Sequence, residues 1–98
     1  IILTWPDNDK AIQYFTKAVS TGKPTPLQLL YLSKALLDGD YYDRAKIYLS
    51  KLISMDPTSE NYIEDLNYII EAKSIWDTYF KEGVAPQRRN AGGLGNPN

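Results

Sequence analysis

Apolar side chains return every three or four residues along most of this chain, which is the spacing of one face of an α-helix. Glycine and proline interrupt the pattern at Gly22-Lys23-Pro24, at Gly39, at Pro57 and at Gly83. Four helices are therefore predicted. The first runs over about 8–21, with Asp7 and Asn8 as N-cap candidates and Ala11, Ile12, Phe15, Ala18 and Val19 as its stripe. The second covers 26–38. Thr25 precedes Pro26 and Gln28 follows three places later, so a cap, a first-turn proline and a capping box coincide. Gly39 closes this helix, and Asp40 is the expected cap of the third, over about 41–55, whose stripe is Tyr41, Ala45, Tyr48, Leu49, Leu52 and Ile53. The fourth opens at Thr58 or Ser59 and runs unbroken through Tyr62, Leu66, Ile69, Trp76 and Phe80 to about 82. At ~1.5 Å per residue it reaches about 36 Å and is the longest. Residues 1–82 form one helical domain in this reading. Residues 83–98, rich in chain breakers and poor in apolar side chains, are expected to be a flexible tail.

The pattern also repeats. Asp9-Lys10-Ala11 through Ser20 aligns with Asp43-Arg44-Ala45 through Ser54 at an offset of 34 residues, pairing Ala11 with Ala45, Tyr14 with Tyr48, Phe15 with Leu49 and Lys17 with Lys51. Leu29, Leu32, Ser33 and Leu36 on the second helix, then Tyr42, Ala45, Leu49, Leu52 and Pro57, occupy the characteristic positions of a 34-residue helical hairpin. The segment 26–59 resembles a tetratricopeptide repeat. Ala11, Phe15 and Ala18 resemble the back half of a preceding unit, and Ile63, Leu66, Asn67 and Ile70 the front half of a following one. The resemblance covers most of 8–72. It departs from the pattern at Gly39, one place early, at Leu49 and Leu52, and at Lys73, where no turn follows. The fold class expected is all-α: antiparallel hairpins stacked as a right-handed α-α superhelix, ended by a long capping helix. The competing arrangement is an ordinary four-helix bundle.

The resemblance implies a concave groove lined by the first helix of each hairpin, taking an extended peptide or a helix of a protein partner. Matched position by position, its lining is Leu27, Leu30, Tyr31, Lys34 and Asp38 on the second helix and Asn61, Glu64, Asp65 and Tyr68 on the fourth. Some members of the family hold a chaperone's carboxyl terminus with Lys, Arg and Asn side chains. Here only Lys34 and Asn61 match, and Glu64 and Asp65 repel a carboxylate, so no such clamp is expected. From Ser59 to Glu82 six carboxylates face only Lys73 and Lys81, so a basic or amphipathic partner fits best.

Composition narrows the chemistry further. Of 98 residues 43% are hydrophobic, enough for one small core. Eleven basic residues against twelve acidic leave a formal charge of -1, which gives no footprint for nucleic acid. Cysteine and histidine are both absent, removing thiolate nucleophiles, imidazole bases, disulfides and the usual zinc and haem ligands. No enzyme activity, cofactor or metal is expected. Glu60, Glu64 and Asp65 sit where the positive end of a helix dipole favours acids. Asp38, Asp40 and Asp43 lack the spacing and terminal Glu of a calcium loop. Gly92-Gly93-Leu94-Gly95 has no strand before it and no helix after it, unlike a phosphate loop. Arg88-Arg89 reads as solvation of the tail. The aromatic residues fall mostly on helix stripes, where core packing is their ordinary use.

The longest fully apolar run, Ile1 to Leu3, is far short of a membrane span, and no membrane association is expected. An opening Ile within an apolar pattern suggests a cut end and a longer parent. Cellular location stays open. Because stacked repeats of this kind need about three units for stability, association of copies through incomplete end repeats, with Ile1, Ile2, Leu3 and Trp5 offered to a second chain, is the alternative to peptide binding.

Overall fold

The computed structural model describes residues 8–81. Within them the chain is all-α and holds four helices, α1 (Asn8–Ser20), α2 (Pro26–Asp38), α3 (Tyr42–Ile53) and α4 (Tyr62–Tyr79). Residues 1–7 and the tail 83–98, with Asp7, Trp5, Arg88, Arg89 and the glycine run, lie outside the described residues.

The second helix is central. Its sequence is apolar almost all round, which marks a helix covered on every side, and eight of its thirteen residues are buried. It packs against α1, α3 and α4; α3 also packs against α4, whereas α1 touches neither α3 nor α4 among the described residues. The most completely buried side chains include Leu29, Leu32, Ser33 and Leu36 of α2 and Leu49 and Leu52 of α3, each 1% exposed or less, with Ala45 at 0%. Each such leucine contributes about 1.5–3 kcal/mol through burial. Ala45 presents only a methyl group, so the two helix backbones can approach closely. Ser33 is tolerated among them because its hydroxyl donates to the Leu29 carbonyl at 2.8 Å, leaving no unpaired polar group in the core.

The joints follow local chemistry. At the start of α2 the Thr25 hydroxyl accepts from Gln28 N at 3.2 Å and the Gln28 side chain accepts from Thr25 N at 3.0 Å, the expected capping box with Pro26 in the first turn. At its end Tyr41 N donates to the Leu36 carbonyl at 2.8 Å and Asp40 N to that of Leu37 at 3.0 Å, the two bonds of a Schellman closure. The left-handed residue that this closure needs is Asp40, at φ 65°, while Gly39 has φ -91°. Asp40 is therefore not the cap of α3. Its carboxylate accepts from the Tyr42 hydroxyl at 3.0 Å, and α3 starts behind Tyr41 with no side-chain cap bond.

The fourth helix is shorter than expected at both ends. Thr58 caps only a separate turn, its hydroxyl accepting from Asn61 N at 3.1 Å, and the helix proper begins at Tyr62. It stops at Tyr79, ahead of Gly83. Phe80 leaves helical geometry at φ -130° after Thr78 and Tyr79, residue types that lose side-chain freedom in a helix. A capping helix presents a polar outer face, but here Tyr62, Ile63 and Ile70 are 52%, 64% and 54% exposed.

Candidate protein-binding surface

The side formed by α2 and α4 gathers most of the residues expected to line a groove, and the two helices are in contact. Leu27, Tyr31, Lys34 and Asp38 are half-buried on α2; Asn61 and Glu64 are exposed and Tyr68 is half-buried at the start and first turns of α4. Phe15 of α1 meets Tyr31 edge-on, ring centroids 5.7 Å apart, so the Tyr31 ring packs against the core.

Two of the nine expected residues do not line an open surface. Leu30 is 1% exposed, because α2 is enclosed by three helices and keeps no free apolar face at that position. Asp65 is 5% exposed and turned toward the α3–α4 loop, where one carboxylate oxygen accepts from Thr58 N at 2.9 Å and from the Thr58 hydroxyl at 2.7 Å. It anchors the entry to α4. Lys34 has a partner within the chain, an ion pair with Glu71 that ties α2 to α4.

Glu71 is one of the six carboxylates between Ser59 and Glu82 but is not among the residues expected to line the groove, although a signal for it existed. Glu64, Tyr68 and Glu71 are spaced four and three residues apart and so share one helix face. With Lys34 neutralised by Glu71, the exposed Glu64 leaves the α2/α4 side acidic near the start of α4.

Two other concavities lie on the opposite flank. An open groove of about 600 Å³ separates α1 from α3 and is lined by Ile12, Gln13, Thr16, Tyr41 and Arg44 among others. A smaller one of about 290 Å³ lies between α3 and α4, beside Ile53, Lys73 and Trp76. Nearby on α3, the Lys46 ammonium lies 5.7 Å from the Trp76 ring and 5.8 Å from that of Phe80.

Among the described residues no group of three or more Asp or Glu could hold a metal ion, so Asp38, Asp40 and Asp43 do not converge. No helix of the described residues is long and apolar enough to cross a membrane. Compared with protein-family models, with curated proteins and with solved structures, the chain finds no match.

Proposed function

We propose that this chain is a non-catalytic scaffold that binds a helix or extended peptide of a protein partner along the α2/α4 side, in the manner of a tetratricopeptide-like stack. One observation carries the reading. Positions that define such a hairpin, Leu29, Leu32, Ser33, Leu36, Ala45, Leu49 and Leu52, are all sealed at 1% exposure or less, alongside Leu30, Ala35 and Ala72. Among the described residues the stack is also open: α2 packs on α4 while α1 packs on neither α3 nor α4, whereas a closed up-and-down bundle would bring its first and last helices together. These features support continuation as a right-handed superhelix with an inner α2/α4 surface.

The partner segment favoured by that surface is basic and amphipathic. Its apolar face meets Leu27, Tyr31 and Tyr68, and its cations meet Glu64. Lys34 is already committed to Glu71, which leaves the carboxylate-clamp arrangement without its one lysine. Display selection of random peptides on the 98-residue chain tests the reading. Enrichment of basic amphipathic sequences, with binding lost on Tyr68→Ala and Glu64→Lys, is the expected result. Failure to enrich any peptide, or binding indifferent to both substitutions, contradicts it. A second reading, a self-associating subunit, is favoured by the exposed Ile63 and Ile70.

A further inference from the structure

We propose that the partner segment on the α2/α4 side is a helix carrying two arginines seven residues apart, one for Glu64 and one that shares Glu71 with Lys34. This deepens the peptide-binding reading above and rests on it.

Glu64, Tyr68 and Glu71 follow one another at four and three residues along α4 and so fall on one helix face. At ~1.5 Å per residue the two carboxylates stand about 10 Å apart along the helix axis, with the half-buried Tyr68 between them. A partner helix laid along α4 repeats that spacing. Its side chains at i, i+4 and i+7 bring a cation, an apolar group and a second cation to the three positions.

The two carboxylates are not equivalent. Glu64 is exposed and holds no cation of the chain among the described residues. Glu71 is engaged by Lys34, but through Oε2 alone, and its other carboxylate oxygen has no partner among the described residues. The glutamate side chain is 32% exposed and the lysine 10%, so the carboxylate is the accessible member of the pair. Arginine suits such a half-used acceptor, because its planar fork can donate to the remaining oxygen while Lys34 keeps the first. The lysine then sets the strength of the contact, since its charge opposes the incoming cation. Lys73 of α4 lines the concavity between α3 and α4 instead and does not compete.

Fluorescence anisotropy on the full 98-residue chain tests this with three synthetic helical peptides of one amphipathic sequence. The first has arginines at i and i+7 and leucine at i+4; the second has glutamine in place of the later arginine; the third has that arginine moved to i+5, off the shared face. On the wild type the first should bind about 3- to 10-fold more tightly than the others. On Glu71→Gln that advantage should vanish. Lys34→Met, which keeps an unbranched stem and leaves Glu71 to the partner, should tighten the first peptide about 3-fold and the second less. Circular dichroism checks that both variants stay helical, and the three-peptide comparison on the wild type holds whatever the variants do. Equal affinity of the three peptides for the wild type, an advantage that persists on Glu71→Gln, or no tightening on Lys34→Met overturns the two-arginine assignment; if binding is still lost on Tyr68→Ala, the α2/α4 surface itself stands. No binding of any of the three peptides to the wild type overturns both.

Discussion

The Asp65 carboxylate accepts two hydrogen bonds from Thr58, one from its backbone N–H at 2.9 Å and one from its hydroxyl at 2.7 Å, and so pins the α3–α4 loop to the first turn of α4. The anchor fixes where α4 begins and therefore where Glu64 and Tyr68 stand beside α2. Hydrogen bonds to a charged acceptor contribute about 1.5–3 kcal/mol. Asp65→Ala should lower unfolding free energy by about that amount in urea titration. Thr58→Val, which keeps the backbone donor, should cost less. Equal stability of Asp65→Ala and wild type would remove the anchoring role.

The Lys34–Glu71 pair joins α2 to α4, with the lysine side chain 10% exposed and the glutamate 32%. Partial exposure screens it, so the pair is worth less than a fully buried one. A double-mutant cycle with Lys34→Met and Glu71→Gln should give a coupling energy of about 0.5–1.5 kcal/mol that shrinks at high salt. A coupling near zero at low salt would show that the two helices are held by packing alone.

The turn between α2 and α3 inverts the usual roles of its residues. Gly39 has an ordinary negative φ, but a Cβ there would meet Asn8 Nδ2 and Tyr41 Cε2 at 2.8 Å and Tyr41 Cδ2 at 2.9 Å, so both side chains must shift to admit it. Asp40 holds the left-handed conformation and bonds Tyr42. Gly39→Ala should cost up to about 1 kcal/mol as Asn8 and the Tyr41 ring shift, while Asp40→Ala should cost about 1–2 kcal/mol from backbone strain and the lost bond. Thermal melts of the two variants settle the order, and the reverse order would reassign the turn.

The capping box at Thr25 and Gln28, the sealed hairpin core and the four-helix count were legible because each depends on residues near in sequence or on a strict period. Leu30 and Asp65 were not. Leu30 looked available because the period assigns it to the groove side of α2. Its burial comes from the enclosure of α2 by three other helices, which no local pattern states. Asp65 looked like a groove acid because acids favour helix starts for the dipole alone. Its partner, Thr58, lies seven residues back across a turn that breaks helical spacing. Asp40 was misassigned for a related reason: aspartate serves both as an N-cap and, less often, in the left-handed position of a helix end, and only the backbone distinguishes them.

An open stack also predicts uneven stability. Since among the described residues α1 packs against α2 alone, its amides should exchange with solvent through partial opening, at a free energy at least about 1 kcal/mol below that of the α2 and α3 core amides. Native-state hydrogen exchange reads this directly. Exchange of α1 and α2 amides at one common free energy would instead indicate a single closed bundle.

Protein binding through the α2/α4 side is tested most directly by chemical-shift mapping of a selected basic amphipathic peptide on the isotope-labelled chain. The account predicts perturbations concentrated on Leu27, Tyr31, Glu64 and Tyr68, with the groove between α1 and α3 unaffected. Perturbations confined to Ile12, Thr16 and Arg44, or to the outer α4 face at Ile63 and Ile70, would contradict it.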